Sequence, residues 1–225
     1  LGYDIPPFDL SVPGVTSISA DIHKYGFAAK GASTIIYKNE KLRRYQYFAY
    51  TDFPGGLYGS PTMTGTRPGG GIAAAWAVLN YMGEEGYLEI ARRIMDVTKK
   101  FQDGIASIPE LKILGRPAAS VFAFASDDLN IYALGDAMEK RGWHLDRNQS
   151  PPSLHIMLTP MHEQAVEPFM DDLKAGVEEV SGSDAAAVSG MAAIYGMVAA
   201  IPEKGMVNDL VIDFLSETFK PGSDK

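Results

Sequence analysis

Cysteine is absent from all 225 residues, so this chain can build neither a disulfide framework nor a thiolate metal site. That absence fits a reducing compartment, and a cytoplasmic location is the expectation. Long apolar runs are also missing. The longest, Met191 to Ile201, falls well short of the ~20 residues a bilayer-spanning helix requires. Basic residues are the minority, with 20 Lys and Arg against 28 Asp and Glu for a formal charge of −8. The deficit argues against nucleic acid and anionic membrane as partners, because both reward positive charge. It leaves an anionic small substrate open, since a pocket can be locally basic on an acidic protein. Histidine is scarce, and His144, His155 and His162 show no ligand spacing, so they read as structural and no metal is expected. The opening residues Leu1-Gly2-Tyr3-Asp4 carry no initiator methionine and no signal-peptide architecture, so the chain reads as starting partway through a larger protein.

What remains has the composition of an ordinary globular protein, 46% hydrophobic and 21% charged, long enough for a core plus an appended domain. Residues 1–14 read as an irregular lead-in. Val15 to Ala20 and Ala32 to Tyr37 read as strands, joined by the glycine-bounded polar link Asp21 to Gly31. Glycine and proline crowd residues 52–71, which predicts a functional loop without regular structure. A mostly buried helix over Gly71 to Met82 and an amphipathic one over Glu84 to Ile108 follow. The latter sets Leu88, Ala91 and Met95 against Thr98-Lys99.

Beyond Leu111 the pattern alternates: strand 119–125, helix 131–140, strand 153–158, helix 163–180. It predicts a small α/β domain of two or three strands, closed by helices over 185–200 and 207–219. The expected division is 1–85 and 86–225.

The chemistry concentrates at His23-Lys24, between a strand end and Gly26. A lysine that forms a Schiff base must present a neutral amine, which burial and neighbouring positive charge favour. His23 can supply that charge or hydrogen-bond an anionic group, and Gly26 permits close approach. The dipeptide alone describes a solvated turn better than a cofactor lysine. Asp127-Asp128 and Glu178-Glu179 read as solvated charge, and the Gly-Thr-Arg-Pro-Gly-Gly-Gly run lacks the spacing of a nucleotide-phosphate loop.

The longer string Ser19-Ala20-Asp21-Ile22-His23-Lys24-Tyr25-Gly26, preceded by Ser11-Val12-Pro13-Gly14-Val15-Thr16 and followed by Lys30-Gly31, resembles the active-site lysine segment of the group II pyridoxal-phosphate decarboxylase family. Lys30 and the lead-in match that family's carbon–carbon lyase branch. So does a second block, Gly55-Gly56-Leu57-Tyr58-Gly59-Ser60-Pro61-Thr62, running into Gly65-Thr66-Arg67-Pro68-Gly69. Together the blocks cover the first third of the chain.

The resemblance implies an α/β fold of the fold-type-I class, with the end of the large domain followed by a small C-terminal domain. It implies pyridoxal 5'-phosphate held by Lys24 as a Schiff base, with His23 near the cofactor phosphate. Thr66 stands where the family places a small hydroxyl, usually Ser, that reaches a cofactor phosphate across a homodimer interface. Lys30 would face the substrate phosphate, or else be a strand-edge charge. Tyr58 would line the cavity or pack beneath it, and Arg67 would touch a ligand or anchor its loop.

The implied reaction splits a phosphorylated sphingoid base into phosphoethanolamine and a long-chain aldehyde. Amino-acid decarboxylation and a non-catalytic half of a split enzyme are the alternatives. In the family, the aspartate for the pyridine nitrogen, the stacking ring and the phosphate cup all lie upstream of the lysine. The missing N-terminal half is therefore an implied partner, and these residues alone are not expected to turn over substrate.

Overall fold

A computed structural model describes residues 1–182 and 204–220. The chain divides into two compact units, residues 1–91 and 92–225.

In the first unit, β1 (Ser17–Ala20) and β2 (Thr34–Tyr37) pair antiparallel, with Ser17 opposite Tyr37 and Ala20 opposite Thr34. A short helix, α1 (Glu40–Arg43), follows, started by the Asn39 side chain accepting from the Leu42 N–H. Asparagine suits that position because its carbonyl satisfies a donor the helix leaves open. A second antiparallel ladder joins β3 (Phe48–Tyr50) to β4 (Tyr58–Ser60). The diagonal pair Phe48 and Tyr58 meets edge to face, ring centres 5.9 Å apart, a geometry that aromatic quadrupoles prefer.

The strand β4 and the helical start at Gly69 both fall inside 52–71, where no regular structure was expected. Glycine lowers strand and helix propensity, but backbone pairing with β3 overrides it.

Two expected helices are one. Helix α2 runs from Gly69 to Ala106, kinked at Gly83, whose φ of 58° and ψ of −178° suit glycine alone. Its first half is not mostly buried. Trp76 is 68% and Tyr81 89% exposed, because among the described residues no second layer covers this apolar face.

The second unit is built as its alternation suggested, with a different strand count and direction. Four strands lie in the order β5 (Lys112–Ile113), β6 (Val121–Ala125), β8 (Pro152–Met157), β7 (Asp146–Gln149), every pairing antiparallel. β7 escapes a hydrophobicity pattern because Asp-Arg-Asn-Gln is polar throughout; it is an edge strand. Helix α3 (Ile131–Lys140) is opened by the Asn130 carboxamide, which accepts from Tyr132 and Ala133. A 3-10 stretch over Pro160–Ala165 precedes α4 (Val166–Ser181). His162 closes a capping box with Thr159 there, which accounts for it structurally. Helix α5 spans Lys204–Thr218; the helix expected over 185–200 lies outside the described residues.

The core gathers Val97, Phe101, Ile105, Leu134, Leu154 and Leu173 at or near zero exposure. Residues 94, 97, 101 and 105 form one helical stripe, continued by Ile108 just past the helix end, and Thr98 belongs to it rather than to the opposite face, its hydroxyl donating to the Ile94 carbonyl at 2.7 Å. That bond pairs a hydroxyl that burial would otherwise penalise. Gly176 lets α4 approach α3, since a Cβ there would lie 3.1 Å from Leu134 Cδ1. Truncating Leu134 to Ala removes atoms from a site with no solvent access. The expected loss is about 2–5 kcal/mol, read as a lower urea midpoint at unchanged slope.

Candidate functional site

The segment that follows β1 is folded tightly on itself. The Lys24 N–H donates to the Asp21 carbonyl at 3.1 Å, Phe27 N–H to the Lys24 carbonyl at 3.0 Å, and Ala28 N–H to the Ile22 carbonyl at 3.1 Å. These bonds explain Gly26, because a Cβ there would stand 2.4 Å from the Ile22 carbonyl oxygen. Phe27 takes φ of 55°, an uncommon choice for a side-chain-bearing residue. Helix α2 secures the loop from outside: Tyr87 donates its hydroxyl to the Gly26 carbonyl at 2.8 Å.

Beside this loop lies an open cavity of about 390 Å³, lined by His23, Gly31, Ala32, Ser33, Thr64, Arg67, Pro68 and Ile72. Its two walls meet at glycine on glycine. A Cβ on Gly71 would lie 2.9 Å from the carbonyl carbon of Gly31, whose φ is 119°. The start of α2 therefore rests on the chain leading into β2; no larger residue fits at Gly71 without displacing backbone, and at Gly31 the positive φ favours glycine. His23 is half-buried, and its Nδ1 is buried with no hydrogen-bond partner among the described residues. An orphaned buried nitrogen costs free energy unless a ligand or water meets it.

Lys24 is not buried. Its side chain is 67% exposed and its Nζ sits 2.9 Å from Asp21 Oδ2. The neighbouring charge is thus negative, against the burial and positive field expected from the sequence, and Lys24 is not among the residues lining the cavity. Ser33 donates to the other carboxylate oxygen of Asp21. That bond first, and Lys24 second, hold the Asp21 carboxyl below its usual range.

The other expected residues scatter around the same unit. Arg67 lines the cavity; Thr66 and Lys30 are exposed near it in sequence, and Tyr58 is half-exposed on β4. The Tyr58 hydroxyl approaches Gly65, 3.4 Å from where a Cβ would be. Sequence reasoning passed over Ser33 and Asp21 as functional groups. Their signal was positional only, one residue at each mouth of the β1–β2 connection.

The residues present suit an anionic, phosphate-bearing aldehyde: a lysine on a rigid turn, a partnerless ring nitrogen, a guanidinium and hydroxyls from Ser33 and Thr64. No group of three or more His, Asp or Glu among the described residues is arranged to hold a metal, and no described helix is long and apolar enough to cross a membrane.

No protein-family model matches the chain. It is 45% identical to the sphingosine-1-phosphate lyase of Arabidopsis thaliana over 219 residues, 97% of this chain and 40% of that protein. A solved sphingosine-1-phosphate lyase from Burkholderia pseudomallei is 46% identical, with a TM-score of 0.75 over 80% of this chain and 41% of its own. A Lactobacillus brevis glutamate decarboxylase shares the fold at 17% identity, with a TM-score of 0.62. The chain is thus a homologue of sphingosine-1-phosphate lyases that spans about 40% of their length. Its fold is part of the fold-type-I architecture of pyridoxal-phosphate enzymes.

The Asp21 anion adds stability above the usual carboxyl range, and that stability is lost as pH falls through the depressed folded value. Ser33→Ala is expected to move the Asp21 titration upward and to shrink this acid-side loss. A carboxyl-carbon NMR titration measures the shift directly.

Proposed function

We propose that the polypeptide to which this chain belongs is a pyridoxal-phosphate-dependent lyase cleaving a phosphorylated sphingoid base of the sphingosine-1-phosphate type to phosphoethanolamine and a long-chain aldehyde. The observation that carries the reading is Lys24, held on a rigid turn next to a cavity with a partnerless His23 nitrogen, in a chain 45% identical to such lyases.

When bound, the cofactor supplies an electron sink for the pair released as the carbon–carbon bond breaks. Lys24 anchors it through Nζ and, once displaced by the substrate amine, is free to carry a proton between reacting atoms. His23 offers its buried Nδ1 to the cofactor's polar edge. Arg67, Ser33 and Thr64 give that side of the cavity its positive and hydrogen-bonding character. In this reading Lys30 meets the substrate phosphate as a mobile point charge, and Tyr58, whose hydroxyl lies near Gly65, contacts the substrate.

Thr66 supports a further role, contact with the cofactor phosphate of a second subunit in a homodimer. The exposed apolar face of α2 and the exposed β2 residues Ile35 and Ile36 favour a covering surface, supplied by a second subunit or by an upstream part of the polypeptide.

The test is product analysis on the complete protein with pyridoxal phosphate and sphingosine-1-phosphate. Phosphoethanolamine is expected from the wild type and only background from Lys24→Ala. No product while the cofactor remains bound at Lys24 would redirect the reading to amino-acid decarboxylation, followed by carbon dioxide release. Lys30→Ala is expected to raise KM for the phosphorylated substrate roughly 10- to 100-fold, the weight of one hydrogen bond to a charged group. An unchanged KM would place Lys30 on the surface as a strand-edge charge.

A further inference from the structure

The proposed reaction requires Lys24 free to meet an aldehyde, yet the structure engages it elsewhere. Its ammonium lies 2.9 Å from Asp21 Oδ2. The carboxylate is not a loose surface group. Its Oδ1 accepts from Ser33, and Ser33 is a wall of the cavity. The backbone on both sides is fixed as well, by the Lys24 N–H on the Asp21 carbonyl and by the Thr34 hydroxyl donating to the Ala20 carbonyl at 3.0 Å. Asp21 therefore joins three things: the end of β1, the cavity wall and the lysine.

From this geometry we propose that Asp21 is a positioning residue, a latch that holds the free ammonium of Lys24 whenever the lysine is not bonded to cofactor. The proposal rests on the reading of Lys24 as the cofactor lysine. During capture, Lys24 leaves Asp21, gives one proton to solvent, and adds as an amine to the aldehyde carbon; one water departs as the carbon–nitrogen double bond forms. Release runs the same steps backwards. Asp21 stays an anion throughout, bound to Ser33, ready to take the ammonium again.

In this chain the ion pair is open to water, the condition in which such a pair holds weakly and is screened by salt.

The experiment follows covalent capture rather than turnover. Complete protein stripped of cofactor is mixed with pyridoxal phosphate, and adduct formation is timed by absorbance. The bond is then fixed with borohydride and located by peptide mass. Asp21→Asn keeps an acceptor for Ser33 but loses the charge, while Asp21→Glu keeps the charge. At low salt the Asn variant is expected to capture about two- to fivefold faster than wild type, the scale of an exposed ion pair. The ratio should fall toward one at high salt, and Asp21→Glu should restore slow capture.

The same ratio measured with pyridoxal, which lacks the phosphate, separates the latch from a general field acting on an anion. A ratio seen only with the phosphate overturns the latch. Equal or slower capture by Asp21→Asn, with its melting temperature retained, also overturns it and leaves the functional reading standing. No adduct at Lys24 in the wild type overturns the functional reading, and the latch with it.

Discussion

Helix α2 can begin where it does because Gly71 and Gly31 carry no side chains. Backbone meets backbone there, and the cavity owes both its walls to that approach: His23, Gly31, Ala32 and Ser33 on one side, Arg67, Pro68 and Ile72 on the other. The same contact explains a glycine run that otherwise weakens a helix start, since Gly-Gly-Gly costs conformational entropy that Ala would not. Loop, helix and strand pair are thus one assembly, with Tyr87 tying the helix back to the lysine turn at Gly26.

Within that assembly, reactivity and rigidity are divided between neighbours. The turn residues Asp21 to Ala28 are fixed by backbone hydrogen bonds, so Lys24 has a fixed root and a mobile end. A long flexible side chain on an immobile Cα would suit the proposed alternation between a carboxylate and a carbon atom.

Much of this was legible in the chain. Helix α3 falls at the expected residues because Asn130 opens it and its apolar positions repeat at helical spacing. The β1–β2 pair was readable for the same local reasons, whereas Lys24 was singled out by resemblance, and the glycine-rich block, expected to lack regular structure, holds β4 and the start of α2. Burial was not. The first half of α2 has the composition of an interior helix, and composition does not say which atoms cover it. The partner of Lys24 was equally hidden: Asp21 is three residues away, but its orientation is set by Ser33, twelve residues on across the strand pair. Polar β7 was missed because edge strands can be held by ladder bonds and side-chain pairs, such as Asp146 with His155, without an apolar face.

That polar edge strand has a consequence for how the two units tolerate solitude. An unpaired sheet edge invites another strand, and charged side chains along it discourage the docking. Among the described residues β7 presents Asp146 there, its side chain 83% exposed, and the opposite edge, β5, is only two residues long. Arg147 is instead held by Asp136 and Glu139 of α3, its side chain only 9% exposed. Among its described residues the second unit therefore offers a stray strand little to pair with. In the first unit, the exposed Trp76 and Tyr81 of α2 are apolar surface of the kind a partner covers.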